Sequence, residues 1–195
     1  GKVSYAPIKN SEVEWWNDLT PPTGKPSTPV DTGTYSAATT LIFSWDEGNA
    51  DDAETRIVGY RLQIKAVNGA ATETIFDGDV GNTLSYTIVN ATHSLTYYAR
   101  VKARNGYGIE AEDADWSDWS DGITVDITPP TGSPSTPIDT GTYSAAPIIV
   151  FSWSKGAAAD TETGISGYRL QVKAVNGTAT ETIFDGDVGN TLSYT

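Results

Sequence analysis

The chain has 195 residues, with 12 basic and 25 acidic side chains, a formal net charge of −13, and neither cysteine nor methionine. This charge disfavours nucleic acids and anionic membranes as partners, and the lack of cysteine excludes disulfides, thiol catalysis and thiolate metal sites. A single histidine, His93, argues against a catalytic triad, and its polar neighbours predict a solvated loop. The 19 glycines and 10 prolines favour many turns between short strands. We therefore expect an all-β protein that is not an enzyme.

Residues 1–19 precede the repeated part of the chain and place apolar and aromatic residues among polar neighbours. We interpret this segment as a linker or as a donor strand that has no sheet of its own. A ligand-binding module would require exposed aromatic residues, and Trp15 and Trp16 are the candidates for this outside the repeat.

The rest of the chain is an internal repeat. A shift of 108 residues aligns 20–87 with 128–195 without a gap, and 53 of the 68 pairs are identical. Such self-similarity indicates tandem structural units. We predict a complete module at 20–127 and a second module at 128–195 that stops after its fifth strand.

Alternating apolar residues predict the strands of the first module. Leu41, Phe43 and Trp45 follow a period of two, as do the residues of 60–65 and 97–104. Gly, Asn and Asp pairs between these runs predict turns. About seven short strands in one module are typical of an antiparallel β-sandwich.

Three features of this pattern resemble the fibronectin type III family. They are a tryptophan on the second strand, Gly-Tyr-Arg-Leu-Gln on the third, and Tyr-x-Ala-x-Val-x-Ala on the sixth. The resemblance implies a tandem of fibronectin type III-like (immunoglobulin-like) sandwiches, and a tyrosine corner at Tyr97 that ties a loop to the sheet. The residues implied in the core are Trp45, Tyr60, Tyr97, Trp153 and Tyr168.

The segment Trp116-Ser117-Asp118-Trp119-Ser120 resembles the Trp-Ser-x-Trp-Ser signature of haematopoietic cytokine receptors. That family carries disulfides and does not repeat a module almost verbatim, so the overall pattern is more similar to surface or secreted proteins of bacteria and archaea. Basic residues two apart on the sixth strand allow a cation-π ladder that stabilises the sheet. The predicted ladder residues are Arg100, Lys102, Arg104, Trp116 and Trp119.

The loop between the second and third strands is acidic, and hard oxygen ligands at this density suit calcium. The candidate ligands are Asp52, Glu54, Asp160 and Glu162. A second acidic stretch, 77–82, recurs at 185–190 but lacks the glycine and the bidentate glutamate of a calcium loop. We predict a solvated turn there. No organic cofactor is predicted.

The sequence therefore favours a non-catalytic extracellular or cell-surface spacer whose partners are further copies of the same repeat. One alternative is a filament subunit in which residues 1–19 complete the second module of a neighbour. The other alternative is a ligand- or carbohydrate-binding module.

Overall fold

The computed structural model describes residues 18–195, so the expectations for residues 1–17 lie outside the described part of the chain. The first module contains seven strands and one short 3-10 helix (Asp113–Asp115), and the second contains four strands. The strands of the first module are β1 (Tyr35–Ser36), β2 (Leu41–Ser44), β3 (Ile57–Asn68), β4 (Ala71–Gly81), β5 (Ser85–Ile88), β6 (Thr96–Asn105) and β7 (Ile123–Val125). Those of the second are β8 (Phe151–Ser152), β9 (Arg169–Asn176), β10 (Ala179–Asp187) and β11 (Ser193–Tyr194).

The strands of the first module form two layers. One sheet has the order β1-β7-β6-β3-β4, and the other pairs β2 with β5. All of these pairings are antiparallel except that of β1 with β7. The all-β, fibronectin type III-like sandwich expected from the sequence is confirmed.

The core lies where the alternating strands of the two layers face each other. Leu41 and Phe43 from β2 meet Leu62 and Ile64 from β3, and all four are at most 1% exposed. Each such side chain contributes about 1.5–3 kcal/mol by leaving water. Trp45 contacts the edge of the Tyr60 ring at a centroid distance of 6.0 Å.

Tyr97 of β6 makes the contact that the resemblance implied. Its ring is buried, and its hydroxyl oxygen accepts a hydrogen bond from the backbone N–H of Thr92 at 2.8 Å. This bond fixes the loop between β5 and β6 against the sheet.

The second module consists of the pairs β9-β10 and β8-β11, and residues 128–195 align only with the part of the first module that precedes β6 and β7. Side chains of the second module are more exposed than their counterparts in the first: Leu41 is 1% exposed, and its counterpart Ile149 is 51% exposed. Trp153 remains buried and contacts Tyr168 at 6.1 Å. Tyr168 itself is only half-buried, so its assignment to a core needs correction.

The turn predicted at 77–82 is also corrected, because most of this stretch lies within β4. Asp77 and Asp79 project from the strand and form ion pairs with Arg61 and Arg104, each at 2.8 Å. These ion pairs connect β4 to Arg61 on the adjacent strand β3 and to Arg104 on β6, the next strand in the sheet, and opposite charges placed across strands stabilise a sheet. Within residues 18–195, no helix is long and apolar enough to cross a membrane.

Candidate functional site at the module junctions

Asp18 is the first residue of a network that joins the linker to the first module. It is 6% exposed, and its Oδ1 accepts hydrogen bonds from the backbone N–H and the hydroxyl of Thr20, both at 2.9 Å. Its Oδ2 accepts a bond from the Thr55 hydroxyl at 2.6 Å. Asp18, two residues before the Thr-Pro-Pro segment, is thereby held against the loop between β2 and β3.

Asp52 lies beside Asp18, in the loop between β2 and β3. Its Oδ1 accepts a hydrogen bond from the Thr55 backbone N–H at 2.7 Å, a short bond that closes the loop on itself. Buried carboxylates need such donors because an unpaired buried charge is costly.

Asn105, at the end of β6, connects these two carboxylates. Its Nδ2 donates to Asp18 Oδ2 at 2.8 Å and to Asp52 Oδ2 at 3.1 Å. Its Oδ1 accepts bonds from the backbone N–H groups of Tyr107 and Ile109 at 3.1 and 2.9 Å, which fixes the amide with its nitrogen towards the carboxylates. Asn105 is fully buried, so this bridge is shielded from water.

These donors keep both carboxylates ionised. The Thr55 hydroxyl, helped by Thr20, lowers the pKa of Asp18. Burial raises the pKa of Asp52, but the bonds from the Thr55 N–H and from Asn105 outweigh it, and the net pKa is lowered. At neutral pH the site therefore holds two negative charges side by side.

Glu54 adds a third carboxylate. One oxygen each from Asp18, Asp52 and Glu54 lies within 4.8 Å of the others, and we call these three residues the first junction cluster. Carboxylate oxygens at this spacing match the ligands that calcium takes in proteins.

The same arrangement recurs between the two modules. Asp126 Oδ1 accepts bonds from the Thr128 N–H and hydroxyl at 3.0 and 2.9 Å, and its Oδ2 accepts one from the Thr163 hydroxyl at 2.8 Å. The Thr163 hydroxyl is the largest cause of the lowered pKa of Asp126. Asp126, Asp160 and Glu162 also lie within 4.8 Å of one another and form the second junction cluster.

The structure thus brings each predicted pair of ligands together and adds one residue to each. Asp18 and Asp126 were missed, although the repeat includes them as Asp-x-Thr-Pro-Pro at 18–22 and 126–130. The two aspartates lie two residues before Thr20 and Thr128, so a repeat that begins two residues earlier contains this signal.

A close approach of backbones holds the linker on the loop in both modules. Gly24 has a φ of 77°, and a Cβ there would lie 2.1 Å from the carbonyl oxygen of Asn49. Gly132 repeats this contact against Ala157, also at 2.1 Å, with a φ of 71°. Only glycine fits at either position, so the linker and the loop form one packed unit.

The ladder of the first module is a separate feature on the outer face of β6. Arg100 lies between Trp116 and Trp119, with its guanidinium 4.7 and 4.6 Å from the two ring centroids. Lys102 continues it over Trp116 at 5.1 Å, and Lys65 lies over Trp119 at 4.1 Å. Lys65 was missed because it belongs to β3, and the pattern of β6 alone does not indicate which β3 side chain lies beside a tryptophan.

The serines of the same segment fasten it to β6. Ser117 Oγ and Ser120 Oγ accept hydrogen bonds from the backbone N–H groups of Val101 and Ala99, at 3.0 and 3.1 Å. The inclusion of Arg104 in the ladder needs correction, because its guanidinium is instead ion-paired with Asp79. Among the described residues, nothing in either feature indicates catalysis.

No family model and no curated protein matches the chain. Among solved structures, it is similar to the twitchin kinase region from C. elegans (15% identity, 55% of this chain and 17% of that one, TM-score 0.42). It is also similar to titin module A71 from human cardiac muscle (20% identity, 52% and 91%, TM-score 0.40). A third similar structure is that of the chicken CNTN1 FN1-FN3 domains (18% identity, 90% and 55%, TM-score 0.40). The chain thus spans less than a fifth of the twitchin chain.

Proposed function

We propose that this chain is part of a non-catalytic extracellular array, in which fibronectin type III-like modules act as spacers. The observation that carries the proposal is the repetition of one junction network, fastened by Asp18 at one end of the first module and by Asp126 at the other. A linker held by side-chain bonds and close backbone contacts sets a fixed spacing. Near-identical modules suit a role in length and surface presentation.

The equivalence of Asp18 and Asp126 also bears on the filament alternative. Asp126 directly follows β7, so Asp18 occupies the position that the end of a preceding module occupies in the second junction. This favours a continuous array over donor-strand assembly by residues 1–19. The ligand-binding alternative depends on Trp15 and Trp16, which lie outside the described residues.

The cellular location and the mass of the native protein test the proposed array. Antibodies raised against the chain should label intact source cells or their secreted material, on a protein far heavier than 20.7 kDa. Labelling that requires permeabilised cells would contradict the extracellular role. A native mass equal to that of the chain would contradict the array.

Calcium binding at the junction clusters is a second candidate function. Of the five acidic residues at positions 46–54, only Asp52 and Glu54 recur in the second module, and these are the two that approach the linker aspartate. Calcium bound there would stiffen the linker. Extracellular modules typically bind the ion with dissociation constants of about 10⁻⁴–10⁻³ M.

Calorimetric titration of the chelator-treated full chain tests this function. We expect two binding events and a rise in melting temperature, with Asp52→Asn removing one event and Asp160→Asn the other. Glu181→Gln, an exposed acidic position in β10, is the matched control. No heat and no thermal shift at millimolar calcium would refute it, and the hydrogen bonds to Asn105 and the threonines would then be the whole role of the clusters.

A further inference from the structure

A second set of contacts crosses the junction between the two modules. His93 belongs to the loop between β5 and β6, which the sequence predicted to be solvated, yet its side chain is only 28% exposed. Its Nε2 lies 3.8 Å from Oε1 of Glu162, in the loop between β8 and β9 of the next module. This contact comes from a different element than the bond between Asp126 and Thr163.

The hydrogen bonding of the ring orients it towards the second module. His93 Nδ1 accepts a hydrogen bond from the backbone N–H of Ile127 at 3.4 Å. In a neutral imidazole an accepting Nδ1 leaves the proton on Nε2, the nitrogen that faces Glu162. Asp126 Oδ1 lies 3.7 Å from Nδ1, so the ring is placed between one carboxylate from each module.

Two separate contacts restrict the relative rotation of the two modules more than a single contact does. The bond from Thr163 to Asp126 fixes one point, and a single point of contact does not by itself prevent rotation of one module about it. A contact at His93, on another loop, opposes that rotation. Interfaces of this kind decide whether neighbouring domains move independently.

We propose that the β5-β6 loop of each module is a docking surface for the β2-β3 loop of the module that follows, and that it sets the angle between them. The partner is therefore a second copy of this repeat, recognised by a glutamate two residues after the cluster aspartate. The first module carries this acceptor too, as Asp52-Ala53-Glu54-Thr55, which corresponds to Asp160-Thr161-Glu162-Thr163. The inference gives the proposed array a regular geometry and rests on that function for its biological meaning.

Distance measurements on the full chain test this docking. Because the sequence has no cysteine, Asn82→Cys and Asn190→Cys place one spin label on an exposed residue of each module without background. Electron paramagnetic resonance should give one narrow distance distribution. His93→Ala or Glu162→Ala should broaden it about twofold, since rotation about the linker is then free. Glu181→Ala, distant in sequence from the junction, should leave it unchanged.

The double variant His93→Ala/Glu162→Ala provides the decisive control. In chelator-treated protein, where Glu162 has no calcium to bind, the double variant should be no broader than either single variant, because both substitutions remove the same contact. Unchanged width in the single variants, or additive broadening in the double one, would overturn the proposal. Near-ultraviolet circular dichroism checks folding, and Glu162→Gln replaces any variant that fails to fold. If the distance distribution is narrow but the protein is found neither on the cell surface nor in secreted material, the extracellular array is disproved and the docking proposal still holds.

Discussion

Strands β3 and β9 have nearly identical sequences but lie beside different neighbouring strands. Their sequences, 57–68 and 165–176, differ at only two positions, yet β3 extends over all twelve residues whereas β9 spans Arg169–Asn176. β3 is paired on both sides, by β4 and β6, and β9 is paired only by β10. A strand's length and the burial of its side chains thus depend on its neighbours as well as on its own residues.

The largest expected effect comes from the matched phenylalanines on β2 and β8. Phe43→Ala should lower the free energy of unfolding by about 3–5 kcal/mol, because the ring is fully buried and its removal leaves a cavity. Phe151→Ala should cost much less, since Phe151 is only half-buried. Urea denaturation followed by tryptophan fluorescence measures both. Equal losses would mean that the second module has a closed core.

Much of the first module is predictable from sequence, because alternation marks the buried faces of β2, β3 and β6 and turn residues separate them. The half-burial of Tyr168 was not predictable from its equivalence to Tyr60, since burial depends on the neighbouring strands and, within residues 128–195, β9 is paired only with β10. The sequence predicted two of the three residues in each junction cluster. Their acidic loop is visible in the sequence, but that Asp18 and Asp126 reach it follows only from the path of the linker.

Removing Asn105 should weaken the first junction cluster. Asn105→Ala removes the buried amide donor from Asp18 Oδ2 and Asp52 Oδ2 and should cost about 1–3 kcal/mol, the penalty for unsatisfied buried polar groups. Asn176→Ala, at an exposed strand end, is the control and should be neutral. Thermal unfolding followed by circular dichroism compares the two, and equal melting temperatures would show that Asn105 does not stabilise the cluster.

Acid should release both junctions by protonating the linker aspartates. The folded-state pKa values of Asp18 and Asp126 are lowered, so their contribution is complete above about pH 4 and is lost as the pH falls through the lowered values. The spin-label distances should stay narrow down to about pH 4 and broaden below it. Asp126→Asn should remove this pH dependence, and an identical acid response in that variant would exclude Asp126 as its source.

The smallest expected effect is a difference in stability between substitutions at two equivalent lysines, Lys65 and Lys173. Lys65→Ala removes the contact with Trp119 and should cost about 0.5–1 kcal/mol. Lys173, its counterpart on β9, is exposed, and Lys173→Ala should be neutral. Urea denaturation of both variants distinguishes them, and equal costs would mean that the ladder contact adds nothing to the lysine's general effect.

The most direct test of the junction network is hydrogen exchange at the Thr128 backbone amide. This N–H donates to Asp126 Oδ1 at 3.0 Å, between the residue that follows β7 and the first residue of the second module. The amide should be protected in the native chain and exchange at the rate of an open linker in Asp126→Ala. Fast exchange in the native chain would contradict the claim that the linker aspartate fastens one module to the next.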